Sequence, residues 1–205
     1  MRLGLLTDIH EHIVNLQRAL AEFDRLGVDR VLCIGDVVAT GARLPETVTL
    51  LAERKIAGVW GNHDFGLCGH PSTLVSSRRA RFVGPVLDYL ATFQPFLEIE
   101  DCFLSHVEPW RDLNNVTGLW YLEGPPDTPE KAARSLDACE KRVLFTGHLH
   151  RWLLATRAGL LPWDGATPIW LESPERFLVV VGALCDGFAA TYDTQSYELV
   201  PIDVR

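Results

Sequence analysis

Five points in the chain carry side chains that can bind metal ions or move protons. They are Asp8 and His10 in Thr7-Asp8-Ile9-His10, Asp36 after Gly35, the run Gly61-Asn62-His63-Asp64, His106, and His148 and His150 in Gly147-His148-Leu149-His150. The donors are carboxylate, amide oxygen and imidazole without thiolate, a set that suits Mn²⁺, Fe or Zn²⁺ in five- or six-coordinate sites rather than thiolate-rich structural zinc. Asp8, His10, Asp36, Asn62, His106, His148 and His150 are too many for one catalytic ion with an open position. Two ions sharing a bridging carboxylate would use them all. Ions ~3.5–4 Å apart can hold a hydroxide between them and aim it at phosphorus. Each short motif by itself is ordinary turn chemistry, and a lone buried histidine is more often a core residue than a ligand. Their conjunction carries the signal.

That conjunction depends on what precedes each motif. Leu3–Leu6, Val31–Ile34, Ile56–Trp60, Cys102–Ser105 and Val143–Thr146 are short apolar runs of the kind that form strands buried on both faces, and each runs directly into one of the five donor sets. In an open α/β sheet the carboxyl ends of the strands share one edge, where ligands bind. Asp8-x-His10 and His148-x-His150 suit irregular strand ends at which both side chains turn the same way.

Between the first two strands, Ile13, Leu16, Leu20, Phe23 and Leu26 recur at helical spacing and Gly27 marks the stop, which predicts a βαβ unit. Pro45-Glu46 opens a second helix to about Lys55. Thr128-Pro129-Glu130 supplies a cap and an N1 proline for a third, to about Glu140. Over 78–93, Val83, Val86, Leu87, Leu90 and Phe93 keep the helical period, with a start or kink expected at Gly84-Pro85.

After Arg151 the helical period disappears. Trp152–Ala155, Ile169–Leu171, Phe177–Val181, Phe188–Tyr192 and Tyr197–Ile202 read as strands separated by Pro, Gly and Asp. An α/β first part with a strand-rich tail predicts two packed sheets with helices outside. Residues 108–128 read as a long site-shaping loop.

The bulk properties narrow the partners. At 205 residues the chain is predicted to form one domain, 1–205. With 19 Lys+Arg against 27 Asp+Glu, its net charge of −8 argues against holding long nucleic acid or an anionic membrane by bulk electrostatics. No apolar run approaches the ~20 residues of a membrane span, and Met1–Leu6 leads into Asp8 without a cleavage-site pattern. Cys33, Cys68, Cys102, Cys139 and Cys185 are odd in number and never paired as Cys-x-x-Cys, which suits small core residues in a reducing compartment. A cytoplasmic location is expected. Homo-oligomerisation stays open, since six Trp are present but no stretch marks an interface.

Taken together, Asp8-x-His10, Gly35-Asp36, Gly61-Asn62-His63-Asp64, His106 and Gly147-His148-x-His150 resemble the calcineurin-like metallophosphoesterase superfamily, in particular its small single-domain bacterial phosphodiesterases. The resemblance implies a four-layer α/β/β/α sandwich of two mixed sheets, with a dinuclear metal site at the carboxyl-terminal strand edge. It implies that Asp8, His10, Asp36 and His150 hold the first ion and Asp36, Asn62, His106 and His148 the second, with Asp36 the bridge. The two divalent ions would be manganese first, with iron, zinc, nickel or cobalt as alternatives. His63 would contact the phosphoryl oxygens or protonate the leaving oxygen, Asp64 would orient the His63 ring, and a metal-bridging hydroxide would attack. The implied substrate is a small phosphodiester or nucleotide-like ester. The alternatives are a phosphomonoesterase and a non-catalytic metal-binding scaffold of the same fold.

The sequence also departs from that pattern. The protein phosphatases of the superfamily carry Asp-Arg after the second motif, where this chain reads Gly35-Asp36-Val37-Val38-Ala39-Thr40-Gly41. The missing Arg removes a bidentate clamp that a dianionic monoester favours, which tilts the expectation toward a diester. Arg43 could compensate if its loop folds inward, though it also reads as a surface residue. Glu11-His12 stands where many relatives have Gly-Asn, and His12 reads as a surface residue at a helix start. In the long loop, Trp110, Arg111, Trp120 and Tyr121 could stack a base and hold a phosphate, with Trp110 and Arg111 the substrate-contact candidates. The two Trp residues also read as a cover for the sheet edge or as a subunit contact.

Overall fold

The computed structural model describes residues 1–64, 66–68, 81–82, 84–115, 118–120 and 123–205. Among these residues, twelve strands form two six-stranded mixed sheets. In the first, β3 (Ala57–Val59), β2 (Arg30–Ile34) and β1 (Arg2–Leu6) run parallel. The sheet continues through β11 (Phe188–Asp193), β12 (Glu198–Asp203) and β9 (Ile169–Trp170) in antiparallel pairs. The second sheet runs β4 (Leu97–Ile99), β5 (Cys102–Leu104), β6 (Val143–Thr146), β10 (Phe177–Val180), β7 (Leu153–Thr156), β8 (Gly159–Leu160). Strands β5, β6 and β10 are parallel there.

Strand periodicity explains the layering. Leu3, Leu5, Leu32, Ile34 and Val59 of one sheet share a buried interior with Leu104, Val143, Phe145, Val179 and Leu154 of the other. Residues one step along, such as Leu6, Cys33, Leu144 and Leu178, face the opposite way and pack with the helices. The helices are α1 (Ile13–Leu26), α2 (Leu44–Glu53), α3 (Gly84–Leu90) and α4 (Pro129–Asp137). The result is the expected α/β/β/α sandwich. Gly4 sits where α1 crosses β1, since a Cβ there would lie 3.0 Å from the Phe23 ring. Gly27 ends α1 at φ 64, and the Thr128 hydroxyl accepts the Lys131 N–H at the start of α4, as their residue types predict.

The allocation of strands differs from the sequence reading. The five early strands do not lie in one open sheet: β1, β2 and β3 belong to one, β5 and β6 to the other. The strand-rich tail is likewise divided, and it supplies β11 beside β1 and β10 beside β6. Pairing between residues as distant as Leu3 and Tyr192 has no local sequence signal. Strands β4 and β8 and a helical turn at Gly118–Trp120 were also missed, being too short to show a period. Helix α3 begins at Gly84-Pro85 as expected. Residues 78–80 and 83 of the predicted 78–93 helix, and Tyr121, lie outside the described residues.

Candidate functional site

Each early strand ends by turning its next residues toward the seam between the two sheets. Asp8, His10, Asp36, His148 and His150 all have positive φ, between 44° and 68°, and so does Glu11 at 60°. These left-handed residues break the strand alternation and let side chains two apart point the same way, as the Asp-x-His and His-x-His spacings suggested. Glycines bring the turns together. A Cβ at Gly61 would overlap the Asp36 carboxylate, and one at Gly147 would overlap the Thr7 hydroxyl.

All seven expected metal donors meet at this seam. Asp8 is fully buried, and its Oδ2 accepts the Thr7 hydroxyl at 2.7 Å and the His148 N–H at 3.0 Å. Its Oδ1 has no hydrogen bond, although His150 Nε2 lies 3.2 Å away. His10 Nε2 stands 3.2 Å from His150 Nε2, 3.8 Å from Asp8 Oδ1 and 3.7 Å from Asp36 Oδ2. Asp36 Oδ2 is also 3.3 Å from His106 Nε2, so this one oxygen lies between two groups of donors. In the second group, Asn62 Oδ1 lies 3.0 Å from His106 Nε2 and 2.9 Å from His148 Nδ1.

Hydrogen bonds behind the rings decide which nitrogens face inward. A backbone carbonyl can only accept, so His10 Nδ1 donates to Val38 O at 3.0 Å and His106 Nδ1 donates to Ile34 O at 2.8 Å. In the neutral rings this leaves both Nε2 lone pairs directed at carboxylate and amide oxygens. Acceptors converging on acceptors need a cation among them, whether metal ions or protons. The seven donors therefore fit divalent ions, and the orphaned Asp8 Oδ1 fits them as well.

In the metal-free protein the protons take that place. Burial pushes His106 down, but the charge and hydrogen bond of Asp36 outweigh it and lift the ring to about 10. His150 is raised to about 11, chiefly by Asp8. Burial pushes Asp36 and Asp8 up, and the neighbouring imidazoles more than reverse it, so both carboxyls stay below their ordinary range. His148 is driven down to about 4 by burial and by the charge of His106, which keeps it neutral.

Two buried carboxylates brace the frame. Asp64 was expected to orient the His63 ring, and the structure corrects this. Its Oδ1 accepts the Val37 and Val38 N–H groups, and its Oδ2 accepts those of Asp36 and Gly61, at 2.9 to 3.1 Å. Burial and the charge of Asp36 push Asp64 up to about 7, against the pull of those N–H groups. Glu11, which sequence reasoning passed over, accepts the N–H groups of Ala39, Gly41 and Arg43 and so closes the same loop from the other side. The only hint was a carboxylate beside Asp-x-His at a predicted strand end. His12 is exposed, as expected.

His63 donates its backbone N–H to Asp36 Oδ1 at 2.8 Å, and its ring meets His10 edge-on with centroids 4.8 Å apart. The substrate-contact candidates fall elsewhere. Arg43 does not fold inward; its guanidinium forks onto Glu46 at the surface, one helical turn away. Trp110 does not offer a bare stacking face, because the Arg111 and Arg134 guanidiniums lie over its ring at 4.4 and 3.6 Å. Arg111 is in turn paired with Glu108 at 2.8 Å. Cys185, which has no motif to announce it, approaches from the loop after β10, with Sγ 3.7 Å from His150 Nδ1. His10, His150 and Cys185 form one potential metal-binding group, His10, Asp36 and His63 a second, and Asp36, His106 and His148 a third.

The two-sheet sandwich gathers histidines, carboxylates and an amide at its strand ends, in clusters that could bind metal ions. The family profile described as the calcineurin-like phosphoesterase superfamily domain matches residues 1–198, and the chain belongs to that superfamily. The family uses divalent metals. An uncharacterized protein of Methanocaldococcus jannaschii is 33% identical over 70 residues, a match that spans 34% of this chain and 29% of that protein. Among solved structures, a metallophosphoesterase from Sphaerobacter thermophilus superposes over 100% of this chain and 88% of its own with a TM-score of 0.79 at 21% identity. An archaeal phosphodiesterase superposes over 99% of both chains with a TM-score of 0.57 at 18% identity. At these identities the structural likeness concerns the fold. Among the described residues, no helix is long and apolar enough to cross a membrane.

Proposed function

We propose that this protein is a metal-dependent phosphoesterase that hydrolyses a small phosphodiester or nucleotide-like phosphate ester. The observation that carries the reading is the gathering of seven donors in two groups with Asp36 Oδ2 between them, and the His63 ring, a non-ligand in the family's pattern, beside them. Asp8, His10, Asp36 and His150 would hold one divalent ion and Asp36, Asn62, His106 and His148 the other. When bound, such ions supply Lewis acidity toward the phosphoryl group and bring a water within reach of deprotonation near neutral pH.

The chain's own groups account for the remaining tasks. The carbonyls of Val38 and Ile34 fix the His10 and His106 tautomers, so neither of these rings has to reorient when an ion arrives. Asp8 and Asp36 together bring two negative charges against the four positive charges of two divalent ions, which leaves a site that attracts an anionic ester despite the net charge of −8. His63 would donate a proton to the leaving oxygen, a reading supported by its backbone tie to Asp36 and its ring contact with His10. A diester is favoured over a monoester because Arg43 is engaged with Glu46 and the Asp-Arg clamp is absent from the second motif.

The test is a metal-by-substrate screen. With Mn²⁺, Ni²⁺ or Co²⁺ the purified protein should hydrolyse bis(p-nitrophenyl) phosphate faster than p-nitrophenyl phosphate, and a chelator should abolish both activities. Faster turnover of the monoester would overturn the diester preference. Full metal loading without hydrolysis of either ester would replace the enzyme with a metal-binding scaffold.

A further inference from the structure

Beyond His63, the structure carries an aromatic group that the hydrolytic reading does not use. Trp120 closes the helical turn Gly118–Trp120 in the loop between β5 and α4, and its ring lies against His63 with centroids 4.8 Å apart and planes tilted by 43°. The rings form a row from the donors outward: His10, then His63, then Trp120. The His10 side chain is only 15% exposed, whereas Trp120 is 53% exposed. Single exposed apolar side chains are common, and Trp170 is as exposed at 54%; Trp120 is set apart by its ring contact with His63 beside the donors.

We propose that the exposed part of Trp120 is a stacking subsite for a planar aromatic ring, a nucleobase or an aryl group, carried by the phosphate ester. This inference takes the position of the phosphate from the proposed function. An ester held over Asp36 with its leaving oxygen toward His63 directs its departing substituent along the ring row, and Trp120 is the next surface it meets. Stacking on an indole is indifferent to which base is offered, because every base has a π face, and contributes about tenfold or more in affinity per ring. The subsite would therefore select flat substituents over aliphatic ones without reading base identity. Trp110, the other loop indole considered from the sequence, cannot share the task, since its ring already carries two guanidiniums.

The experiment compares ligands that differ only in the ring. Dissociation constants for AMP, ribose 5-phosphate and phenyl phosphate are measured by calorimetry on the Mn²⁺-loaded protein and on W120A and W120F, with metal content determined for each. The wild type should bind AMP about tenfold more tightly than ribose 5-phosphate. W120A should bring that ratio to within about twofold of unity with metal content unchanged, and W120F, which keeps a flat ring, should restore most of it. If AMP but not phenyl phosphate responds to W120A, the ring is a nucleobase; if the reverse, it is an aryl group. Equal wild-type affinity for AMP and ribose 5-phosphate, or equal weakening of all three ligands by W120A, would overturn the subsite. Its failure is distinguishable from that of the hydrolytic reading, because ring-dependent binding without hydrolysis would leave the subsite standing and hydrolysis without ring-dependent binding would remove it alone.

Discussion

The two walls of the site are built on opposite principles. The inner wall consists of strand ends, where hydrogen bonds hold groups from behind: Asp8 by Thr7 and the His148 N–H, His10 and His106 by backbone carbonyls, and the loop after β2 by Asp64 and Glu11. The outer wall is the 108–128 loop, which Trp60 anchors by donating its indole N–H to Leu113 O at 3.0 Å and which brings the exposed Trp120 against His63. One wall holds side chains by hydrogen bonds, and the other offers a face. The difference separates chemistry, which needs positioned lone pairs, from recognition, which needs area.

Removing a brace should hurt the inner wall most. Asp64→Ala would orphan four backbone N–H groups, each costing about 1–3 kcal/mol when buried without a partner, and should either prevent folding or lower denaturant stability by several kcal/mol with loss of metal. Urea unfolding with metal analysis checks this. A stable, metal-replete variant would show that the brace is dispensable. Next in size, Asn62→Ala and His148→Ala should lower metal affinity by more than the roughly 10- to 100-fold that loss of an outer-sphere partner costs, and rate should fall with occupancy. His63→Gln should behave differently, losing about 10²–10⁴-fold in kcat with metal content intact. Were His63→Gln to lose metal in parallel with rate, His63 would belong among the ligands.

The metal-free inner wall should also respond to pH. His106 and His150 are raised from an ordinary 6.5 to about 10 and about 11, so they bind protons more tightly folded than unfolded. Their stabilising contribution is complete below about pH 6.5 and is lost as pH climbs toward 10. The melting temperature of the metal-free protein should therefore fall between pH 7 and 10. Saturating divalent ions should flatten that decline, because they replace the protons. The smallest expected effect belongs to the outer wall: Trp120→Ala should change denaturant stability by within about 0.5 kcal/mol, as for most exposed substitutions. A drop of several kcal/mol would make Trp120 part of the core.

The sequence was legible where chemistry and chain order coincide. Asp8, Asp36, Asn62, His106 and His148 each follow an apolar run within a few residues, so motif and strand could be read together. Neither carboxylate brace could be assigned that way. The Asp64 and Glu11 contacts reach backbone 26 to 32 residues distant, or three residues back at Gly61, and no periodicity records a side chain bonding to main chain. The sheet division was hidden for a similar reason, since β10 and β11 enter the two sheets beside strands from the first part of the chain. Arg43 and Arg111 show the reverse case. A cation near a motif reads as a phosphate contact until Glu46 and Glu108, each three residues away, are seen to hold it.

The left-handed turns have a consequence for how this protein can change. A non-glycine residue in that conformation costs roughly 1–2 kcal/mol, somewhat less for Asp, and Asp8, His10, Glu11, Asp36, His148 and His150 all adopt it around one site. Glycine at any of these positions would relax the backbone. A selection that rewards only heat resistance would therefore be drawn toward glycine at His10 or His148, at the expense of a donor in the site where metal binding is proposed.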